Sequence, residues 1–248
     1  MHKVALVTGS SKGIGAATAL RLAADGYAVC VNYLSNAQAA EKVCTQAAAL
    51  GPEAIAIQAD VSVEEDVSRL FAAIDTEWGR LDILVNNAGI LLPQTRVETM
   101  TAARINQILT TNVTGYFLCS REAIKRMSAK HGGAGGVIVN VSSAAARLGS
   151  GGEYVDYAAS KGAIDTFTVG LAHEVAAEGI RVNGVRPGFI YTDIHADGGE
   201  PERVDRIKHQ IPLQRGGQAE EVAAAIAWLV SDESSYTTGA FIEVSGGR

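Results

Sequence analysis

Tyr157 and Lys161 begin and end the run Tyr157-Ala158-Ala159-Ser160-Lys161. Four residues apart on a helix, they share a face with a rise of about 6 Å between them. A phenol is a poor acid near neutrality, with an ordinary pKa of ~10. A fixed ammonium beside it favours the phenolate, lowers that pKa and turns the hydroxyl into a usable proton donor and acceptor. The same spacing also occurs as an ordinary helix contact, so its weight depends on what else the chain carries. Tyr154 lies nearby without a lysine four residues on, which removes it as the acid. The first strand leads into Thr8-Gly9-Ser10-Ser11-Lys12-Gly13-Ile14-Gly15. Glycines there let backbone N–H groups approach a pyrophosphate, and a helix N-terminus favours its charge. The spacing is G-x-x-x-G-x-G rather than the common G-x-G-x-x-G, and a glycine-rich turn after a strand is often only a turn. His131, His173, His195 and His209 have no Asp, Glu or Cys partners at metal-ligand spacing, so no metal site is expected. His195 reads as a surface histidine, with contact to a substrate as the less favoured alternative.

The elements that must position these residues alternate from end to end. Val4–Val7, Ala28–Tyr33, Ala54–Gln58, Ile83–Val85, Val137–Val141, Ile180–Val185 and Ala240–Val244 read as strands. Residues 13–25, 37–50, 63–78, about 101–130, 154–178 and 219–230 carry helical spacing. Continuous β-branched strands separated by helices predict a parallel sheet covered on both faces. With no internal repeat and no linker composition, residues 1–248 are expected to form one doubly wound α/β domain. The polar stretch at about 193–212, containing Asp197-Gly198-Gly199-Glu200-Pro201, reads as a mobile insertion that closes over a substrate.

Composition narrows the function classes. The chain has 248 residues, 47% of them hydrophobic, which allows a large buried core. A net charge of −6 without a concentrated basic run argues against nucleic-acid binding. No apolar run approaches the ~18 residues of a membrane span. Cys30, Cys44 and Cys119 are an odd number without metal spacing, and read as buried free thiols in a reducing compartment. No signal-peptide pattern opens the chain, so a cytoplasmic protein is expected.

Over nearly its whole length the sequence resembles the short-chain dehydrogenase/reductase family. The glycine segment, Asn87-Ala88-Gly89, Tyr157 with Lys161, Pro187-Gly188 with Thr192, and Thr238-Gly239 fall in the family's order. Within it the chain is most similar to 3-oxoacyl-carrier-protein reductases and to glucose or related sugar dehydrogenases. The resemblance implies a single Rossmann-like, seven-stranded parallel sheet and a hydride transfer between a nicotinamide cofactor and a carbonyl or secondary alcohol. It makes Tyr157 the acid/base and gives Lys161 the nicotinamide ribose as well as the tyrosine. Ser143 is the matching hydroxyl donor, with Ser142 its rival. The Ser143–Tyr157 spacing is one residue longer than usual, an excess that Leu148-Gly149-Ser150-Gly151-Gly152 can absorb. Asn112 is assigned by the same resemblance to a water-linked proton relay through Lys161; a local side-chain bond is the plainer reading.

On the cofactor, the resemblance implies contacts from Gly9, Ser11, Lys12, Gly13, Ile14 and Gly15 at the phosphates. Asp60 and Val61 would meet the adenine, and Asn87, Ala88 and Gly89 the adenosine ribose region. Pro187, Gly188, Ile190 and Thr192 would line the nicotinamide. Asp60 also reads as a turn residue. Users of NAD carry a carboxylate at the end of the second strand. Val31-Asn32-Tyr33-Leu34-Ser35-Asn36 has none. Lys12 stands where relatives using NADP often place a base against the 2′-phosphate, so NADP is expected, with NAD possible. A small polar or modest acyl substrate is expected, and a homotetramer packed through two long helices and the last strand. Arg121, Lys125, Arg126 and Lys130 could receive an acidic carrier protein, although such stripes are usually solvated faces. The terminal Ser245-Gly246-Gly247 departs from the family's Asp-Gly-Gly. A non-catalytic nucleotide sensor is the alternative class, disfavoured because Asn112, Ser143, Tyr157 and Lys161 are all present.

Overall fold

Val, Ile and Leu runs too short for helices and apolar on both faces have one stable placement, the interior of a parallel sheet. In the computed structural model, which describes residues 2–248, they take it. The order is β1 (Val4–Val7), α1 (Gly13–Ala24), β2 (Ala28–Tyr33), α2 (Ala37–Leu50), β3 (Ala54–Gln58), α3 (Glu64–Trp78) and β4 (Ile83–Asn86). Then follow α4 (Ala102–Leu109), α5 (Gly115–Met127), β5 (Gly136–Val141), α6 (Ala145–Leu148), α7 (Val155–Val175) and β6 (Ile180–Pro187). The chain ends with α8 (Ile194–Asp197), α9 (Arg203–Ile207), α10 (Ala219–Val230) and β7 (Phe241–Val244). The sheet is parallel, in the order β3-β2-β1-β4-β5-β6-β7.

Two cores form, one on each face. On one face Ala5, Val7, Val29 and Val139 pack against Leu22, Val43 and Ile226 of α1, α2 and α10. On the other, Leu6, Cys30, Leu84 and Ile138 meet Phe71, Ala123 and Leu171 of α3, α5 and α7. Cys30 and Cys119 are buried thiols; Cys44, in the middle of α2, is partly buried and packs against the edge of the core. Burial pushes the Cys119 thiol up to about 12. No helix among the described residues is long and apolar enough to cross a membrane.

The long helical region expected over about 101–130 runs without a break from Ala102 to Met127, with a π-turn at Thr110–Thr114 that widens the coil by one residue around Asn112. The stretch 193–212 carries short helical turns, with Val204, Ile207 and Ile211 buried beneath it and most of its polar residues facing outward. Its sequence looks polar because only one side of each short helical turn packs down. The basic residues of α5 are largely committed within the chain. Arg121 pairs with Glu64 and Glu122, Lys125 with Glu122, and Arg126 with Asp75 and Glu122.

Candidate active site

Strand order reverses at β1, whose neighbours β2 and β4 lead their following connections to opposite sides. A crevice must open there, beyond the carboxyl ends of the strands. Side chains from the strands pin its floor. Thr8 Oγ1 accepts the backbone N–H of Asn87 and of Ala88, each at 3.0 Å. Asn87 Nδ2 donates to the carbonyls of Thr8 (2.9 Å) and Gly9 (3.1 Å). Asn32 Oδ1 accepts Gly9 N–H at 3.1 Å, and its Nδ2 donates to Ala59 O at 3.1 Å. Gly9 sits at φ +61°, where a Cβ would fall 2.9 Å from Ala88 Cα. Only glycine suits both the conformation and the approach. Gly15 is a packing residue: a Cβ there would meet Asn87 Nδ2 at 2.5 Å.

The crevice has two contiguous halves that share Ile14, Asn87, Gly89, Thr192 and Ile194. One half encloses about 1420 Å³, open solvent included, and holds Gly9, Ser11, Lys12, Gly13, Asp60, Val61 and Ala88. Asn32, Leu34, Ser35 and Asn36 close it at the end of β2, with no carboxylate among them. Asp60 Oδ1 accepts the N–H and hydroxyl of Ser62, so the turn reading of this residue describes one of its oxygens. Lys12 Nζ does not stand alone at the rim; it pairs with Asp197 of α8 at 3.1 Å, both side chains about half exposed. The glycine turn runs directly into the N-terminus of α1, and its glycines leave the backbone open toward the crevice. This is a cradle of the kind a diphosphate can enter, so the residues fit a dinucleotide.

The other half encloses about 910 Å³, open solvent included. Ser143, Tyr157 and Lys161 meet there with Pro187, Gly188, Ile190 and Thr192. The two serines part company. Both line this half, but Ser142 is buried and its hydroxyl is committed to Asp165 Oδ1 at 2.6 Å. Ser143 Oγ accepts Ala145 N–H at 3.1 Å and lies beside the Tyr157 hydroxyl. Asn112 is buried under the wall rather than on it. Its Oδ1 accepts Ile90 N–H at 2.8 Å, while Nδ2 donates to Ile90 O and Ser160 Oγ, both at 3.1 Å. A Cβ on Gly89 would lie 3.4 Å from Asn112 Oδ1 and 3.7 Å from Lys161 Nζ, so both groups back the same glycine.

One expectation is corrected. The sequence predicts a phenol pKa lowered by the lysine, whereas the protein's own groups leave the Tyr157 pKa raised. Burial is the largest cause, opposed by the Ser143 hydroxyl and by the positive charge of Arg203. Lys161 is nearly fully buried, and its Nζ donates to Val141 O at 2.7 Å and Tyr116 Oη at 3.2 Å. It lies 5.7 Å from the Tyr157 ring centre, and burial lowers its own pKa to about 7. Desolvation disfavours both charged forms at once.

A second correction concerns His195, which is buried, 9% exposed, and lines the reacting half. Arg203, only 6% exposed, lines it too. Asn32, Tyr116, Phe189 and Arg203 escaped sequence reasoning because each reaches the site through a tertiary contact that no local spacing signals. Tyr116 alone had a cue, an aromatic four residues after Asn112 on the same helical region.

Comparison with known proteins agrees with this architecture. A family model described as enoyl-(acyl carrier protein) reductase matches residues 9–248. The chain is 64% identical over 245 residues to the uncharacterized oxidoreductase YgfF of Escherichia coli K12, covering 99% of each. It is 39% identical to the 3-oxoacyl-[acyl-carrier-protein] reductase FabG of Staphylococcus aureus Mu50, covering 100% of this chain and 98% of that one. A short-chain dehydrogenase from Burkholderia cenocepacia J2315, crystallised in complex with NADP, superimposes with a TM-score of 0.90 at 37% identity. That match covers 99% of this chain and 97% of the other.

Proposed function

The chain belongs to the short-chain dehydrogenase/reductase family, and on that premise we propose that it is an NADP-dependent oxidoreductase acting on a carbonyl or secondary alcohol. The observation that carries the proposal is the convergence of Ser143, Tyr157 and Lys161 on a crevice continuous with the glycine turn. The nicotinamide, when bound, supplies or accepts the hydride. The chain's part is the proton. Tyr157 Oη gives it to the substrate oxygen in reduction and takes it back in oxidation, with Ser143 Oγ donating to the same oxygen. Lys161, tethered to the Val141 carbonyl, stands ready to replace the phenol's proton and to hold the cofactor's ribose. Asn112 keeps Ile90 and Gly89 in place, which sets the wall along which Lys161 meets the crevice. Pro187, Gly188, Ile190 and Thr192 give the nicotinamide a largely apolar bed.

NADP is preferred to NAD on charge. The β2 end offers no carboxylate to ribose hydroxyls, and among the described residues Lys12 is the one cation lining that half of the crevice. To meet a 2′-phosphate it must share or release Asp197. The neighbour's NADP supports the same choice.

A homotetramer in the cytoplasm is the proposed form. Phe117 and Val169 are exposed apolar residues on α5 and α7, and Cβ atoms at Gly162 and Gly170 would meet open space. Those two helices are therefore suited to a second copy.

A ketone and alcohol panel, followed by nicotinamide absorbance with both cofactors, tests the activity. Tight cofactor binding without turnover of any member would instead indicate a nucleotide sensor.

A further inference from the structure

The proton chemistry above leaves two side chains of the reacting half without a task. His195 on α8 and Arg203 on α9 both line it, and each is more than nine-tenths buried. His195 Nε2 lies 3.0 Å from the Ile190 carbonyl, which only an N–H can face. The proton therefore sits on Nε2 and leaves Nδ1 an acceptor, and Nδ1 has no partner among the described residues. Arg203 gives Nη2 to Glu153 and lies over the rings of Tyr154 (4.5 Å) and Phe189 (5.5 Å). Its Nε–H has no partner among them either. Buried polar groups are rarely left so, because each costs free energy until something bonds to it.

Charge along the wall points the same way. Among the described residues, Lys161 and Arg203 are the charged ones lining this half, and no carboxylate lines it. Lys161 already bonds Val141 O and Tyr116 Oη. Glu153 stands behind Arg203 as its counter-charge, outside the lining. Leu91, Leu148, Phe189 and Ile194 add apolar surface to the same half. A buried guanidinium with an unused N–H favours a planar anion over a neutral ligand.

We propose that the substrate is a small carbonyl compound, or the corresponding alcohol, that carries a carboxylate. Arg203 receives the carboxylate through Nε–H, and His195 Nδ1 accepts a hydroxyl or amide proton from the same molecule. The proposal rests on the oxidoreductase reading of this site and names its substrate class. A neutral sugar offers hydroxyls but no charge to the arginine, and a long acyl thioester brings no charge there either.

The test uses the full-length protein saturated with NADPH, titrated with short oxo acids and with their methyl esters. Binding is read from the fluorescence of the bound cofactor, and turnover is read separately from its absorbance. Acids are expected to bind at least tenfold more tightly than their esters. Arg203→Met should erase that difference by weakening the acids at least tenfold while the esters move less than threefold. Glu153→Gln, which removes the competing carboxylate, should tighten the acids several-fold. The two variants move one quantity in opposite directions, a pattern that loss of folding does not produce. Equal binding of acid and ester, no binding of either, or an acid preference that survives Arg203→Met would overturn the proposal. Acid-selective binding without turnover would uphold the carboxylate site at Arg203 and reject the oxidoreductase reading; turnover indifferent to the carboxylate would do the reverse.

Discussion

Val141 offers one carbonyl oxygen to two donors, Lys161 Nζ at 2.7 Å and Tyr116 Oη at 3.0 Å. That bond fixes the amine where burial is nearly complete, and burial lowers its pKa from 10.5 to about 7. The consequence for stability has a definite sign. Between about 7 and 10.5 the unfolded chain holds a proton on this lysine that the folded chain has lost, so stability rises with pH across that window. Below about 7 both states are protonated and the full cost of the buried charge is present. Lys161→Met should remove the rise, a difference of about 3 kcal/mol at most between pH values of about 7 and 9.5. Urea unfolding of both proteins at several pH values checks it. For the chemistry, Tyr157→Phe should lower kcat by about 10²–10⁴-fold. The cofactor Kd should stay within about threefold, because the phenyl ring keeps its packing; stopped-flow and binding titrations separate the two. The Tyr157–Lys161 pair was legible because helical spacing is local. The pKa direction was not legible, since desolvation depends on how much of the fold covers each group.

At the scale of elements, the glycine turn and the 193–212 stretch meet through Lys12 and Asp197. Lys12→Glu should weaken NADPH more than NADH, whereas Asp197→Asn should tighten NADPH about two- to fivefold by releasing the ammonium. Titrating both reduced cofactors measures the ratio; equal effects on the two would remove Lys12 from the 2′-phosphate. Gly9→Ala puts a methyl 2.9 Å from Ala88 Cα at a positive φ. It is expected to cost about 1–3 kcal/mol of stability and to weaken both cofactors at least tenfold, as read by thermal unfolding and titration. Strand positions were legible almost residue by residue, because β-branched runs buried on both faces have few alternatives. The π-turn inside the 101–130 helix was not, since Asn112 within it bonds across to Ile90 and Ser160, partners that lie far from it in sequence. Nor was the inward face of 193–212, where Val204, Ile207 and Ile211 keep helical spacing but are too few among polar neighbours to stand out.

For the whole molecule, seven strands in one parallel order leave a single reversal of direction, and the crevice lies at it. The exposed Phe117 stacks on Phe167 of α7, with ring centres 4.0 Å apart, so the two long helices already present a joined apolar face. Phe117→Glu should shift the protein toward smaller species in sedimentation while far-ultraviolet dichroism is unchanged; an unaltered sedimentation profile would move the interface elsewhere. Sequence reasoning could place these helices but not show which of their residues stay uncovered, because that depends on the other faces having been filled first.

The division of labour along the chain has an evolutionary corollary. Proton handling belongs to the end of β5 and to α7, on the rigid sheet, whereas His195 and Arg203 arrive on a separate folded strap. Selectivity could therefore be rewritten by grafting that strap from a relative, leaving the reaction itself inherited intact.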